Sequence, residues 1–153
     1  MPRAIPSIVH AISKLKFGNP PFQFEADAEP LAPLLAQLNA PLPADLKQYL
    51  DHCIPVGDGE FGIVEFHTLE TLLEEQTEAD PGCDVFPHGF FCFAKEGDGS
   101  QFAFCIHDER IYQLHAGDGE NGTIQTIQQC AETTWPTLRD FLLNVEQRLS
   151  AEQ

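Results

Sequence analysis

The triplet Gly-Asp-Gly occurs three times, at 57–59, 97–99 and 117–119. Aspartate can hold a cation, and glycine can bend a chain. A calcium loop needs roughly six to eight oxygens from closely spaced acids and carbonyls. Gly57-Asp58-Gly59-Glu60 and Gly97-Asp98-Gly99 offer too few. "AGDGENG" gathers Asp118, Glu120 and Asn121 but lacks the Asp-x-Asp-x-Asp-Gly pattern. Phosphate is a poorer fit, because no P-loop lysine follows and acidic side chains oppose an anion. The bending reading remains. Asp98-Gly99 suits a two-residue type I′ turn, in which both residues accept positive φ. That turn would set Phe93 opposite Phe104, Phe91 opposite Ile106 and Cys92 opposite Cys105, with one face aromatic and the other small and apolar.

Nucleophilic chemistry has one conceivable seat. Cys105 and His107 stand two apart on an expected strand, so both point to one face, with Cys92 across from them. The simpler reading is a small-residue sheet face with a histidine at its edge. Asp51-His52-Cys53 belongs to a helix, with Cys53 on its apolar side. Neither Gly-x-Ser-x-Gly nor His-Glu-x-x-His occurs. Glu74, Glu75, Glu78 and Asp80 form an acidic helix end, which reads as a solvated face; a glycosidase pair would need such groups to converge across a cleft. The five cysteines (Cys53, Cys83, Cys92, Cys105 and Cys130) are odd in number and include no Cys-x-x-Cys, so reduced thiols are expected. We expect no enzyme activity, no metal and no cofactor.

Charge is the strongest global signal. The chain has 24 acids and 8 Lys or Arg, for a formal net charge of −16. Residues 1–24 hold Arg3, Lys14 and Lys16 and no acid, whereas Gln48 to Leu138 carries 17 acids against Lys95 and Arg110. Such a surface repels nucleic acid and anionic membrane and speeds encounter with a basic protein. The acids at the expected turns and strand ends, Asp58, Glu60, Asp98, Asp118 and Glu120, are the candidate partner-binding residues.

Positioning these groups requires a core. Ile5, Ile8, Val9, Ile12 and Leu15 recur at helical spacing. A second short helix carries Leu31, Leu34, Leu35 and Leu38, with Pro33 in its opening turn. "PLPADLKQYLDHCIP" places Leu42, Leu46, Tyr49, Leu50, Cys53 and Ile54 on one helical face, opened at Pro43 and stopped before Pro55. "EFGIVEF" reads as a strand, and "HTLETLLEEQTEA" as a helix capped by Thr68. "GFFCFA", "QFAFCIH", "IYQLHA" and "TIQTIQQC" read as four strands. "TTWPTLRDFLLNVEQRL" reads as a closing helix capped by Thr133 or Thr134, with Trp135 at its start facing the core. The expectation is one α+β domain over 1–153, with an antiparallel-rich sheet of about four to six strands flanked by helices. No run approaches the roughly 20 apolar residues of a membrane helix, and the N-terminus makes a poor signal peptide. A soluble, cytoplasmic protein is expected.

The order of these pieces resembles the SUKH superfamily. "LPADLKQYLDHC" is similar to its opening helix, "FGIVEFHTLETLLEE" to its next strand and Leu-rich helix, and "FFCFAKEGDGSQFAFCI" to its central hairpin. "RIYQLHAGDGE" is similar to the following strand and loop, and "CAETTWPTLRDFLLNVEQRL" to the closing helix. The resemblance spans about residues 42–149, with 1–41 as a helical lead-in. The family's Asn-Gly after the first helix is replaced here by Ile54-Pro55-Val56-Gly57-Asp58-Gly59. The family includes fungal regulators of cell-wall synthesis and bacterial immunity proteins that neutralise polymorphic toxins. The resemblance therefore implies a protein-binding domain without established catalysis: an immunity protein facing a basic toxin domain, or a regulatory or scaffolding domain. A small Cys/His-dependent enzyme or metal protein is the third reading. The sequence sets no oligomeric state.

Overall fold

The computed structural model describes residues 3–17, 23–56, 64–120 and 122–151. Its centre is a five-stranded meander: β1 (Val64–Phe66), β2 (Phe90–Glu96), β3 (Gln101–Cys105), β4 (Ile111–Leu114) and β5 (Thr134–Trp135). Neighbours in sequence are neighbours in the sheet, and every pair is antiparallel. With helices on both faces, this is the expected α+β fold.

One sheet face meets a large core. Phe91, Phe93, Phe102 and Phe104 pack there with Leu46, Tyr49 and Leu50 of α3 (Ala44–His52) and Leu72 of α4 (Leu69–Thr77). The periodic apolar residues of α1 (Ile5–Phe17) and α7 (Leu138–Ala151) lie in the same core, and these two helices pack on each other. Each buried Leu, Ile, Val or Phe contributes about 1.5–3 kcal/mol. Between α1 and α3 a short turn of helix, Glu29–Leu31, leads into α2 (Ala32–Ala36), with Pro33 in the opening turn as expected. Thr68 caps α4 by accepting Thr71 N–H at 3.4 Å.

The opposite face is smaller. Cys92, Ala103, Cys105, Phe90, Tyr112 and Leu114 meet Val85 of α5 (Gly82–Val85) and Ile127 of α6 (Ile124–Cys130). Here β1 is too short to cover all of β2, and a side chain takes its place. The Gln76 amide donates to the Cys92 carbonyl at 2.7 Å and accepts Cys92 N–H at 2.9 Å. It acts as a substitute peptide group along an otherwise unpaired strand edge.

Three expectations are corrected. The segment 123–130, expected as a strand, is α6. Ile124 and Ile127 stand one helical turn apart, and Thr123 and Thr126 form a reciprocal capping box that fixes the helix start. The closing helix begins at Leu138, not near Thr133 or Thr134, and the Thr137 hydroxyl accepts Asp140 N–H at 3.0 Å. Pro136 holds the residue before it extended, so Thr134–Trp135 pairs with β4 as a strand. The central hairpin is also shifted. Phe91 pairs with Phe104 and Cys92 with Ala103, and a bulge lies between Cys92 and Ala94. The bulge turns both Phe93 and Ala94 toward the large core.

Candidate functional site: the acidic end of the sheet

The 97–99 triplet closes β2 onto β3, but through a three-residue loop rather than a type I′ turn. Gly99 N–H donates to the Glu96 carbonyl at 3.0 Å, and Glu96 N–H to the Ser100 carbonyl at 3.0 Å. Gly99 takes a left-handed φ of +88° while Asp98 does not. This is a turn followed by a glycine bulge. Asp98 is exposed, yet its Oδ1 accepts Ser100 N–H at 2.9 Å and the Ser100 hydroxyl at 2.7 Å. Those hydrogen bonds hold its pKa below the usual aspartate value, so it stays anionic.

The 117–119 triplet lies at the same end. Gln101, the first residue of β3, pairs with Leu114, the last of β4, so the chain leaving β4 emerges beside the hairpin tip. Asp118 Oδ2 accepts His115 N–H at 2.7 Å. The loop then folds down onto α5. Gly117 N–H donates to Asp80 at 3.2 Å, and Gly119 approaches so closely that a Cβ there would lie 2.6 Å from Val85. Glu120 is exposed.

The hairpin tip with Asp98 and the loop with Asp118 thus leave the same end of the sheet, with Glu96 beside the tip, Glu132 on His115 and Asp80 on Gly117, while Glu120 follows Gly119, which packs on Asp84 and Val85. The nearby basic groups are already engaged: Lys95 with Glu65 at 3.4 Å and Arg148 with Glu96 at 3.5 Å, while His115 Nε2 lies 3.3 Å from the Glu132 carboxylate. Asp58 and Glu60, with the 57–59 triplet, lie outside the described residues. Among the described residues no group of three or more His, Cys, Asp or Glu could hold a metal ion.

Cys92, Cys105 and His107 follow the simpler reading, a small-residue sheet face with a histidine at its edge. Cys92 pairs with Ala103, and Cys105 with Phe90. Both thiols are fully buried, and burial raises their pKa, that of Cys105 to about 11. A thiolate nucleophile is disfavoured there. His107 is exposed, and its Nε2 lies 2.9 Å from the His88 carbonyl.

The solvated reading of the 74–80 acids fails at one position. Glu75 is only 7% exposed and accepts Gly82 N–H at 2.9 Å. Burial raises its pKa. It lines a small cleft with His67, Thr71, Glu74, Ala79 and Lys95. His67 is 4% exposed; its Nε2 lies 2.7 Å from Gln101 Oε1 and its Nδ1 3.2 Å from the Thr71 hydroxyl. Burial lowers the His67 pKa and favours the neutral ring. Sequence reasoning missed this cleft. The i, i+4, i+8 spacing of His67, Thr71 and Glu75 was a usable signal, but Lys95 joins only through the β1–β2 pairing.

A model of the SMI1 / KNR4 family (SUKH-1) matches residues 25–144. The match begins earlier than the resemblance noted above, taking in α2 and the extended segment in which Glu25 N–H donates to the Ile54 carbonyl at 2.7 Å. No curated protein and no solved structure matches the chain.

Proposed function

The chain belongs to the SMI1 / KNR4 family (SUKH-1), and from that premise we propose that it is a protein-binding domain acting as an immunity protein. It captures a cognate toxin domain with a basic surface and blocks it in the cytoplasm. The binding face is the acidic end of the sheet, with Asp98, Asp118 and Glu120 at its rim. The observation that carries this reading is the convergence of the two described Gly-Asp-Gly loops beside engaged cations. An anionic rim steers a basic partner and suppresses anionic ones, setting on-rate and specificity more than affinity. A toxic nuclease presents a basic surface of this kind, because it must bind phosphate. The domain needs no catalysis for this role. A basic toxin domain encoded beside this gene is the partner to test. Co-expression with this chain should restore growth, and reversing Asp98, Asp118 and Glu120 to Lys should abolish protection while the protein stays folded. Undiminished protection by the triple variant would remove the acidic rim from the account.

A further inference from the structure

We propose that the cleft lined by His67, Thr71 and Glu75 is an anchor pocket for one arginine side chain of a protein partner. The inference deepens the reading of the acidic end as a site for a basic protein, and rests on it.

Size argues first. The cleft measures about 110 Å³, well below the roughly 300–1,000 Å³ of cofactor and metabolite sites. It admits the head of a single side chain. Its chemistry argues next. Glu75 is more than nine-tenths buried, and one carboxylate oxygen accepts Gly82 N–H. The other accepts no hydrogen bond among the described residues. That second oxygen is not sealed from solvent, and Glu75 lines the cleft. An anionic acceptor held at the base of a narrow opening calls for a cation with directed N–H groups.

The surroundings agree. Glu74 stands exposed beside the cleft, and Lys95, which also lines it, pairs with Glu65 at 3.4 Å. At Glu75 the positive charge of Lys95 is felt ahead of the negative charges of Asp80 and Glu74, which oppose it. His67, held neutral by its burial, brings no competing positive charge. Thr71 supplies a hydroxyl acceptor. Guanidinium, planar and multiply donating, uses two carboxylates and a hydroxyl better than an ammonium point charge does. Arginine in a pocket surrounded by near-neutral contacts is also a recurrent interface hot spot. Asp80 links the cleft to the rim, because it accepts Gly117 N–H from the acidic loop at 3.2 Å. A partner steered by Asp98 and Asp118 thus meets the cleft on the same surface.

The test uses the full chain, ¹⁵N-labelled, titrated with N-acetyl-arginine amide and, in parallel, its neutral isostere N-acetyl-citrulline amide. Arginine should produce saturable shifts at the amides of Thr71, Glu75, Gly82 and Lys95, and citrulline should not. Glu75→Gln keeps an acceptor for Gly82 N–H, so the fold is retained, and it should weaken arginine binding about tenfold or more. Reversing Asp98, Asp118 and Glu120 to Lys should leave the cleft shifts in place. Absent saturation, equal binding of citrulline, or unchanged affinity in Glu75→Gln would overturn the anchor pocket. Loss of toxin protection in the rim variant alongside any of those results would show that the acidic-end reading stands and only the pocket fails.

Discussion

The two faces of the sheet are built by different means. The larger face is a continuous apolar core, closed by the matching stripes of α1, α3 and α7 against the phenylalanines of β2 and β3. Among the described residues the smaller face has eight buried residues of apolar character and relies on polar side chains to finish it: Gln76 on the strand edge, His67 on Gln101, and Glu75 on Gly82. Area burial stabilises the first face and is indifferent to detail. Hydrogen bonds at fixed positions complete the second, so single atoms matter there, and the cleft sits on that side. A face finished by polar groups can present chemistry to a partner; a face closed by phenylalanine cannot.

The comparison can be broken at four positions, taken from the largest effect down. Phe102 stacks with Trp135 and Phe141 at centroid distances of 5.6 and 4.7 Å. Phe102→Ala should cost about 3–5 kcal/mol in urea unfolding; a loss below about 1 kcal/mol would show that the large core does not hold the fold. Gln76→Leu strands the N–H and carbonyl of Cys92, and should cost about 2–6 kcal/mol, from two groups at roughly 1–3 kcal/mol each. A neutral Gln76→Leu would mean that the smaller face is also held by apolar area alone.

Gly99→Val should cost about 1–3 kcal/mol, since a β-branched residue resists the left-handed φ of Gly99. Asp98→Ala, which removes only its bonds to Ser100, should cost less, about 0.5–1.5 kcal/mol. Equal losses would place the strain in the aspartate rather than in the glycine.

His67 sharpens the comparison through pH. Its pKa is lowered from 6.5 by burial, so the neutral ring's contribution is complete above that value and is lost as pH falls from it toward the lower folded pKa. Glu75, raised from 4.5, works in the opposite direction: its contribution is present at low pH and fades as pH rises through its folded pKa. Urea midpoints of wild type should therefore drop between pH 7 and pH 5.5 more than those of His67→Gln. Parallel curves would show that His67 titrates as freely in the fold as in the unfolded chain.

This asymmetry also explains what the sequence disclosed. The large core was legible because periodicity alone marks Leu46, Tyr49, Leu50, Phe141 and Val145. The sheet class and its hairpin were legible for the same reason. Register was not, because the bulge at Phe93 costs one residue and leaves the apolar pattern intact. The helix at Ile124–Cys130 was hidden behind β-branched residues whose cap, Thr123, outweighed their propensity. On the smaller face Glu75 and Gln76 look like ordinary surface residues of an acidic helix. Only the packing of α4 on β2, with Gly82 brought close by the turn after it, buries them. Of the candidate site, the acids and their turns were visible, whereas their convergence depended on strand order.

The central claim is that the acidic end of the sheet steers a basic protein. Its most direct test is the association rate of this chain with the basic toxin domain proposed as its partner, measured by stopped flow across ionic strength, for wild type and for Asp98, Asp118 and Glu120 reversed together to Lys. The account predicts a wild-type rate that falls steeply with salt, and a triple variant that associates at least about tenfold more slowly at low salt with a flattened dependence. A wild-type rate independent of salt, or an unchanged rate in the triple variant, would contradict it.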